Sequence, residues 1–283
     1  MSESLQTLVE TLQPEKLDKS LFRGVTWPLR WKRVFGGQVL AQSMFAAIQT
    51  IEDPHRRVHS QHAYFLRPGD PDKPIIYEVD PIRDGRSFST RRVVAMQDDQ
   101  AIFNTSLSFQ IPEAGGDYQA PMPEVIEPEA IENDNDFYRR LKRGPDTESE
   151  LQHEPIDYRT VDKINYLSPK KREPRLAVWM RANGDLPDDQ AAHETLLAYM
   201  SDRYLMGTAM LPLGLTFNSP NLMVASLDHG LWFHDDFRAD EWLFYDLRST
   251  RASRGRGMNF GSIYTRDGRL VATAVQEGLM RQR

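Results

Sequence analysis

Apolar positions along the chain change their period several times, and each change marks an element. Residues 3 to 17 read as a short amphipathic helix, and L-F-R-G-V-T-W-P after it reads as an extended segment broken by Pro28. Beyond Gly36 and Gly37, the residues Leu40, Met44, Ala47, Ile48 and Ile51 fall on one helical face. That spacing predicts a second, buried helix. From Val58 the period becomes that of strands, in four runs: V-H-S-Q-H-A-Y-F-L-R-P-G, P-I-I-Y-E-V-D-P-I-R-D-G, S-F-S-T-R-R-V-V-A-M-Q-D-D and Q-A-I-F-N-T-S-L-S-F-Q. The short turns between them imply an antiparallel meander. Residues 113 to 172, crowded with proline and acidic residues, read as a long connection lying along the surface, with a short helix around Asp136 to Lys142. The regular pattern then returns as a strand at Arg175 to Arg181, a helix at Asp188 to Tyr204, and four further strand-like runs. The first of these is N-L-M-V-A-S-L-D-H-G-L-W-F-H.

The two halves look like repeats. S-Q-H-A-Y-F-L-R-P matches L-D-H-G-L-W-F-H-D, and D-D-Q-A-I-F-N-T-S-L-S-F-Q matches R-D-G-R-L-V-A-T-A-V-Q-E, in the same order. The economical architecture is α+β: an antiparallel sheet wrapped on one long helix, present twice, with the two sheets joined side by side so that exposed edges are removed.

In the helix of the second half, Pro187, Asp188 and Asp189 supply N-terminal capping chemistry. Leu196, Leu197, Met200 and Tyr204 line its apolar face. Asp202 lies off that stripe, stacked above Thr195, Ala198 and Tyr199, whose size lets another backbone come close. Such an acid is either placed for chemistry or a surface charge paired with Arg203 or Arg254. Gly36 and Gly37 similarly allow two readings. They open free helix N-terminal N–H groups to a carbonyl or phosphate, or they make a tight turn into the helix.

Composition narrows the chemistry. The 283 residues (32.6 kDa) fit one large domain or two packed modules, with ordinary values of 40% hydrophobic and 27% charged residues. A formal net charge of -6 argues against general nucleic-acid binding. The absence of cysteine excludes thiolate nucleophiles and permits a cytosol-like, cytoplasmic location. H-E-T-L-L at His193 lacks the second histidine of a zincin, and the seven histidines show no other compact ligand spacing, so no metal is expected. There is no G-x-S-x-G elbow, and the glycines at 255, 257 and 261 have the wrong spacing for a dinucleotide loop. The polar, acidic N-terminus does not read as a secretory signal, the final R-Q-R is not a peroxisomal signal, and no stretch reaches the roughly 18 apolar residues needed to span a bilayer. Arg248, Arg251, Arg254 and Arg256 form a basic spot that suits a phosphorylated ligand such as a nucleotide-containing thioester, or simply guards an edge strand.

Taken together, V-F-G-G-Q-V-L-A-Q-S at 34–43, Y-F-L-R-P-G-D at 64–70, K-P-I-I-Y-E-V at 73–79 and R-D-G-R-S-F-S-T-R-R-V at 83–93 carry a family signature. W-M-R-A-N-G at 179–184, L-D-H-G-L-W-F-H at 227–234 and V-Q-E-G-L-M-R at 275–281 complete it. The chain resembles the acyl-CoA thioesterase II family along nearly its whole length, most weakly at 113–172. The resemblance implies two tandem hotdog modules, at 1–112 and 173–283, joined by a variable linker at 113–172. It implies a catalytic trio in the C-terminal module: Asp202 in Y-M-S-D, Ser226 in A-S-L-D-H and Gln276 in A-V-Q-E-G. Several relatives have threonine where Ser226 stands, so the hydroxyl is kept and a rotamer-stiffening methyl is lost.

The resemblance also implies hydrolysis of fatty acyl-CoA, of medium to long chain, without a cofactor, by a homo-oligomer with no membrane insertion. The alternative is a non-catalytic acyl-CoA or acyl-thioester binding protein of the same fold. Thioester hydrolysis needs an in-line water, a proton acceptor and donors to the developing oxyanion. Asp202 fits as general base or water-orienting group, with Ser226 and Gln276 positioning the water and helix N-terminal N–H groups polarising the carbonyl. Attack by Asp202 itself, through an anhydride, is the other route. A hotdog hydratase would need an Asp and His pair, and His193, nine residues before Asp202 at roughly 1.5 Å per residue of helix, lies too far away.

Overall fold

The computed structural model describes residues 2–27, 33–141 and 155–282. Helix α1 (Glu3–Thr11) begins where the Ser2 hydroxyl accepts from Leu5 N–H at 3.3 Å, and it stops short of the expected residue 17 because Pro14 cannot continue it. Strands β1 (Glu15–Asp18) and β2 (Leu21–Gly24) follow, while Pro28 lies outside the described residues. Helix α2 (Gly36–Ile48) is buried on nearly every side, from Gly37 to Met44 and again at Ala46 and Ala47. A helix buried all round in this way, with its polar Gln38, Gln42 and Ser43 hydrogen-bonded inside, forms the centre of a fold. Around it lie β3 (Arg57–Phe65), β4 (Ile75–Asp84), β5 (Phe88–Gln97) and β6 (Gln100–Gln110), of which only β4, β5 and β6 form the expected meander, because β3 pairs with β6 and not with β4.

The second half repeats the plan with β8 (Arg175–Ala182), α4 (Gln190–Ser201), β10 (Asp228–Phe233), β11 (Leu243–Ser253), β12 (Arg256–Thr265) and β13 (Leu270–Gln282). Asp189 caps α4 by accepting from Ala191 N–H at 3.2 Å, and every residue from His193 to Ser201 is buried. The strand-like run expected from Asn221 to His234 is broken at Leu227 into β9 (Leu222–Ser226) and β10. β9 pairs with the end of β13, and β10 pairs with both β13 and β3.

All pairings are antiparallel, and the path runs β1-β2-β4-β5-β6-β3-β10-β13-β12-β11-β8, ending on β7 (Ile156–Thr160). The two half-sheets therefore join side by side through β3 and β10, as the repeat implies, with Gly230 opposite His62 and His229 opposite Ala63. The motif match that sets His62 against His229 is one residue out of phase. His62 is exposed, whereas His229 is 1% exposed and faces the helices, as Gln61 does in β3. A one-residue slip in a strand exchanges its faces. This is the tandem-hotdog architecture.

The stretch expected as a connection is partly structural. Its early portion straps the outer face of the second half-sheet. There, Gln119 bonds Leu270 N–H and the Gly268 carbonyl, Arg266 bonds Glu129, and Trp179 Nε1 donates to the Ile126 carbonyl at 2.9 Å. Met122, Val125 and Ile131 cover an aromatic layer of Trp179, Trp242, Phe244 and Tyr264. Helix α3 (Asp134–Leu141) stands near the expected short helix, whose final Lys142 lies outside the described residues. β7, also within that stretch, extends the sheet. Among the described residues, no helix is long and apolar enough to cross a membrane.

Candidate active site

The C-terminus of α4 and the N-terminus of α2 meet. A Cβ on Gly37 would stand 2.3 Å from the Tyr199 carbonyl oxygen, and one on Gly36 would stand 2.7 Å from Asp202 Oδ2. Only glycine allows this approach, in which Gly37 N–H donates to Asp202 Oδ2 at 2.9 Å. The positive end of α2 thus faces a carboxylate supplied by the other half of the chain. Of the helix N-terminal N–H groups expected to polarise a carbonyl, that of Gly37 is already engaged by Asp202.

Asp202 is the residue after the last turn of α4, and the helix expected to reach Tyr204 ends before it because Tyr204 turns into the left-handed region at φ 70°. That strained residue is pinned through its hydroxyl, which donates to Asp134 Oδ2 at 2.6 Å. Asp134, at the start of α3, also receives Thr160 N–H and the Thr160 hydroxyl, and Lys163 pairs with it. The strap therefore steadies the chain just past Asp202. The surface-charge reading of Asp202 is overturned: its side chain is 6% exposed, and Arg203 lies instead over the Tyr158 ring, 4.7 Å from the centroid.

The three residues named from the sequence come together. Gln276 Nε2 donates to Asp202 Oδ1 at 2.6 Å and to Ser226 Oγ at 3.2 Å. Because an ionised carboxylate only accepts, the amide nitrogen must face it. Gln276 is fully buried, and its Oε1 has no hydrogen-bond partner among the described residues. Its amide hydrogens are thus occupied by the other two members, so it orders them and does not itself hold a water through its nitrogen. Ser226, half-buried at the end of β9, accepts from Gln276 and keeps its own O–H to give. Burial pushes the Asp202 pKa up to about 6, against the bonds from Gln276 and Gly37, which favour the anion.

A further neighbour was not legible as a site residue. His229 Nδ1 lies 3.9 Å from Asp202 Oδ1, and its Nε2 is 3.1 Å from Ser201 Oγ. A buried Asp and His pair therefore exists, but with His229 and not His193, whose Nδ1 accepts from Ala239 N–H at 3.0 Å. Only the facing of β10 could have revealed it. Of the arginine cluster, Arg256 is bonded to Glu277 and Arg248 lies over the Phe260 ring, while Arg251 and Arg254 are exposed at the β11–β12 hairpin. The hairpin's turn passes straight into β12, so Gly255, at φ 72°, is a turn residue and Gly257 and Gly261 lie in the strand, and none belongs to a nucleotide loop.

In the first half, Met44 follows Ser43 as Asp202 follows Ser201, and Leu107 stands opposite Gln61. Those positions hold no acid and no amide donor, so this carboxylate constellation is specific to the second half.

A doubled hotdog sheet whose two central helices meet at a buried carboxylate defines a class by its fold, the tandem-hotdog proteins. A family model described as acyl-CoA thioesterase matches residues 152–279, and one described as acyl-CoA thioesterase N-terminal domain matches residues 26–110. The chain is 38% identical over 284 residues to acyl-CoA thioesterase 2 of Haemophilus influenzae, covering 99% of each, and 38% identical over 290 residues to mouse acyl-coenzyme A thioesterase 8, covering 98% of this chain and 89% of the relative. Among solved structures, the acyl-CoA thioesterase II TesB2 of Mycobacterium marinum is 39% identical, with a TM-score of 0.80 over 98% of each chain. A hot dog fold protein of Alicyclobacillus acidocaldarius shares the fold at 21% identity, with a TM-score of 0.78 over 98% of each chain. The chain belongs to the acyl-CoA thioesterase family.

Proposed function

We propose that the protein hydrolyses fatty acyl-CoA of medium to long chain to the free acid and CoA, with the C-terminal module carrying the chemistry. The observation that supports this most is the convergence of Asp202, Ser226 and Gln276 around a carboxylate whose proton affinity lies near neutrality. Above a pH of about 6 the anion of Asp202 accepts a proton from water, and the Ser226 O–H orients that water. As the water oxygen bonds to the acyl carbon, the carbon–sulfur bond breaks and the proton passes to the CoA thiolate. Gln276 and Gly37 each hold one oxygen of Asp202, which fixes the orientation of the carboxylate. Association into a homo-oligomer belongs to the same proposal, since Tyr64 and Phe88 stand 60% and 44% exposed on the outer sheet face. A monomer mass in solution would remove that part.

Thiol release is measured for acyl-CoA substrates from acetyl to palmitoyl, with the intact protein and Asp202→Asn. The expected result is turnover peaking at medium or long chains and a fall of about two orders of magnitude or more in the variant. Binding of acyl-CoA without thiol release by either protein would replace the hydrolase by the binding protein.

A further inference from the structure

Beneath Asp202, a chain of hydrogen bonds reaches the ring of His229. The Ser201 hydroxyl donates to the Ala198 carbonyl at 3.0 Å, and a hydroxyl has only one hydrogen. With its hydrogen on that carbonyl, Ser201 Oγ is free to accept from His229 Nε2, 3.1 Å away. The Ser201 carbonyl is itself held by the Tyr245 hydroxyl at 2.9 Å, so the serine is fixed from both sides. With Nε2 bearing the hydrogen, Nδ1, which is buried and without a hydrogen-bond partner among the described residues, presents its lone pair 3.9 Å from Asp202 Oδ1.

We propose that Ser201 locks His229 in the Nε2–H tautomer, and that His229 is a positioning residue whose Nδ1 lone pair favours proton uptake by Asp202. This rests on Asp202 acting as the base. A lone pair offers nothing to a carboxylate, but it can accept from a carboxylic O–H once the water proton has been taken. The opposite tautomer would donate to the carboxylate after a small approach, stabilise the anion and weaken the base.

The other groups facing Asp202 are the Gln276 amide from β13 and Gly37 N–H from α2, with Tyr245 of β11 the remaining titratable neighbour. Burial drives the His229 pKa down to about 3, so the imidazole stays neutral across the working range.

The first half contains the same support without the acid. Ser43 donates to the Leu40 carbonyl at 2.9 Å, and Gln61 Nε2 donates to Ser43 Oγ at 3.2 Å. There the serine also acts as acceptor toward the strand side chain, and Met44 takes the place of the carboxylate. The serine support is thus common to both halves, whereas the imidazole aimed at an acid belongs to one.

The test is nitrogen NMR of the full chain labelled in its histidines, with the His229 signals assigned by their loss in His229→Gln. The expected spectrum shows a protonated Nε2 and a bare Nδ1 from pH 5 to 8, with no titration. In Ser201→Ala, Nδ1–H should appear, and the acid limb of kcat/KM should move down by about one pH unit. A wild-type Nδ1–H tautomer, a His229 that titrates near neutrality, or an acid limb that stays put while the tautomer switches would each overturn the proposal. The wild-type spectrum decides the tautomer even if Ser201→Ala fails to fold. An Asp202→Asn variant that keeps full turnover beside the expected spectrum would sink the base assignment separately.

Discussion

Gly37 N–H donates to Asp202 Oδ2 across 165 residues of sequence, tying the start of α2 in one half to the residue that ends α4 in the other. The bond exists because Gly37 has no Cβ to strike the Tyr199 carbonyl, which would lie 2.3 Å from it. Gly37→Ala must push the helix ends apart. We expect kcat to fall about 10²-fold, the usual cost of misplacing a reacting group by about 1 Å, with the loss of Tm measured alongside.

Ser226 offers a hydroxyl whose oxygen accepts from Gln276 while its hydrogen stays free. Ser226→Ala should lower kcat about 10²-fold, comparable to removing one preorganised donor. Ser226→Thr keeps the hydroxyl and should retain wild-type-like turnover in the same thiol-release assay. A dead threonine variant would mean that the site cannot take the extra methyl.

Asp202 trades stability for basicity. Its folded pKa, about 6, lies above its ordinary 3.8, so the folded state holds the proton more tightly. That contribution is present at low pH and lost as pH rises from about 4 to 6. Asp202→Asn, although inactive, should therefore melt higher than the wild type at pH 7.5, by about 1 kcal/mol or ~2 °C. The advantage should vanish below pH 4. Equal melting points at both pH values would show that the carboxylate is not held at a cost.

Glu194, 4% exposed in α4, is a second buried acid, raised to about 8 by burial, with Arg57 opposing the shift. Stability tied to it is lost as pH climbs from about 4.5 to 8. Glu194→Gln should raise Tm at pH 8.5 by the equivalent of about 1 to 2 kcal/mol and leave it unchanged at pH 4. Calorimetry across that range reads both ends.

Periodicity alone was enough for the elements that carry strong patterns. The buried helix that follows the paired glycines, the existence of four strands after it and the repeat of a helix with its sheet all follow from where apolar residues recur, since burial on one face is what stabilises each element; that β3 crosses over to pair with β6 and not with β4 does not. The trio at Asp202, Ser226 and Gln276 was reached through family resemblance, because a lone Asp, Ser or Gln has no local signal of its own. What the chain could not express locally was facing and distance. A single-residue phase error placed His62 with His229, and the break at Leu227 that separates β9 from β10 has no sequence punctuation. The enclosure of Asp202, the glycine N–H that reaches it and the imidazole below it depend on two helices and three strands meeting in space. Local sequence determines which faces are apolar; only the packed structure decides which polar groups are shut in together, and therefore which of them hold protons differently from water.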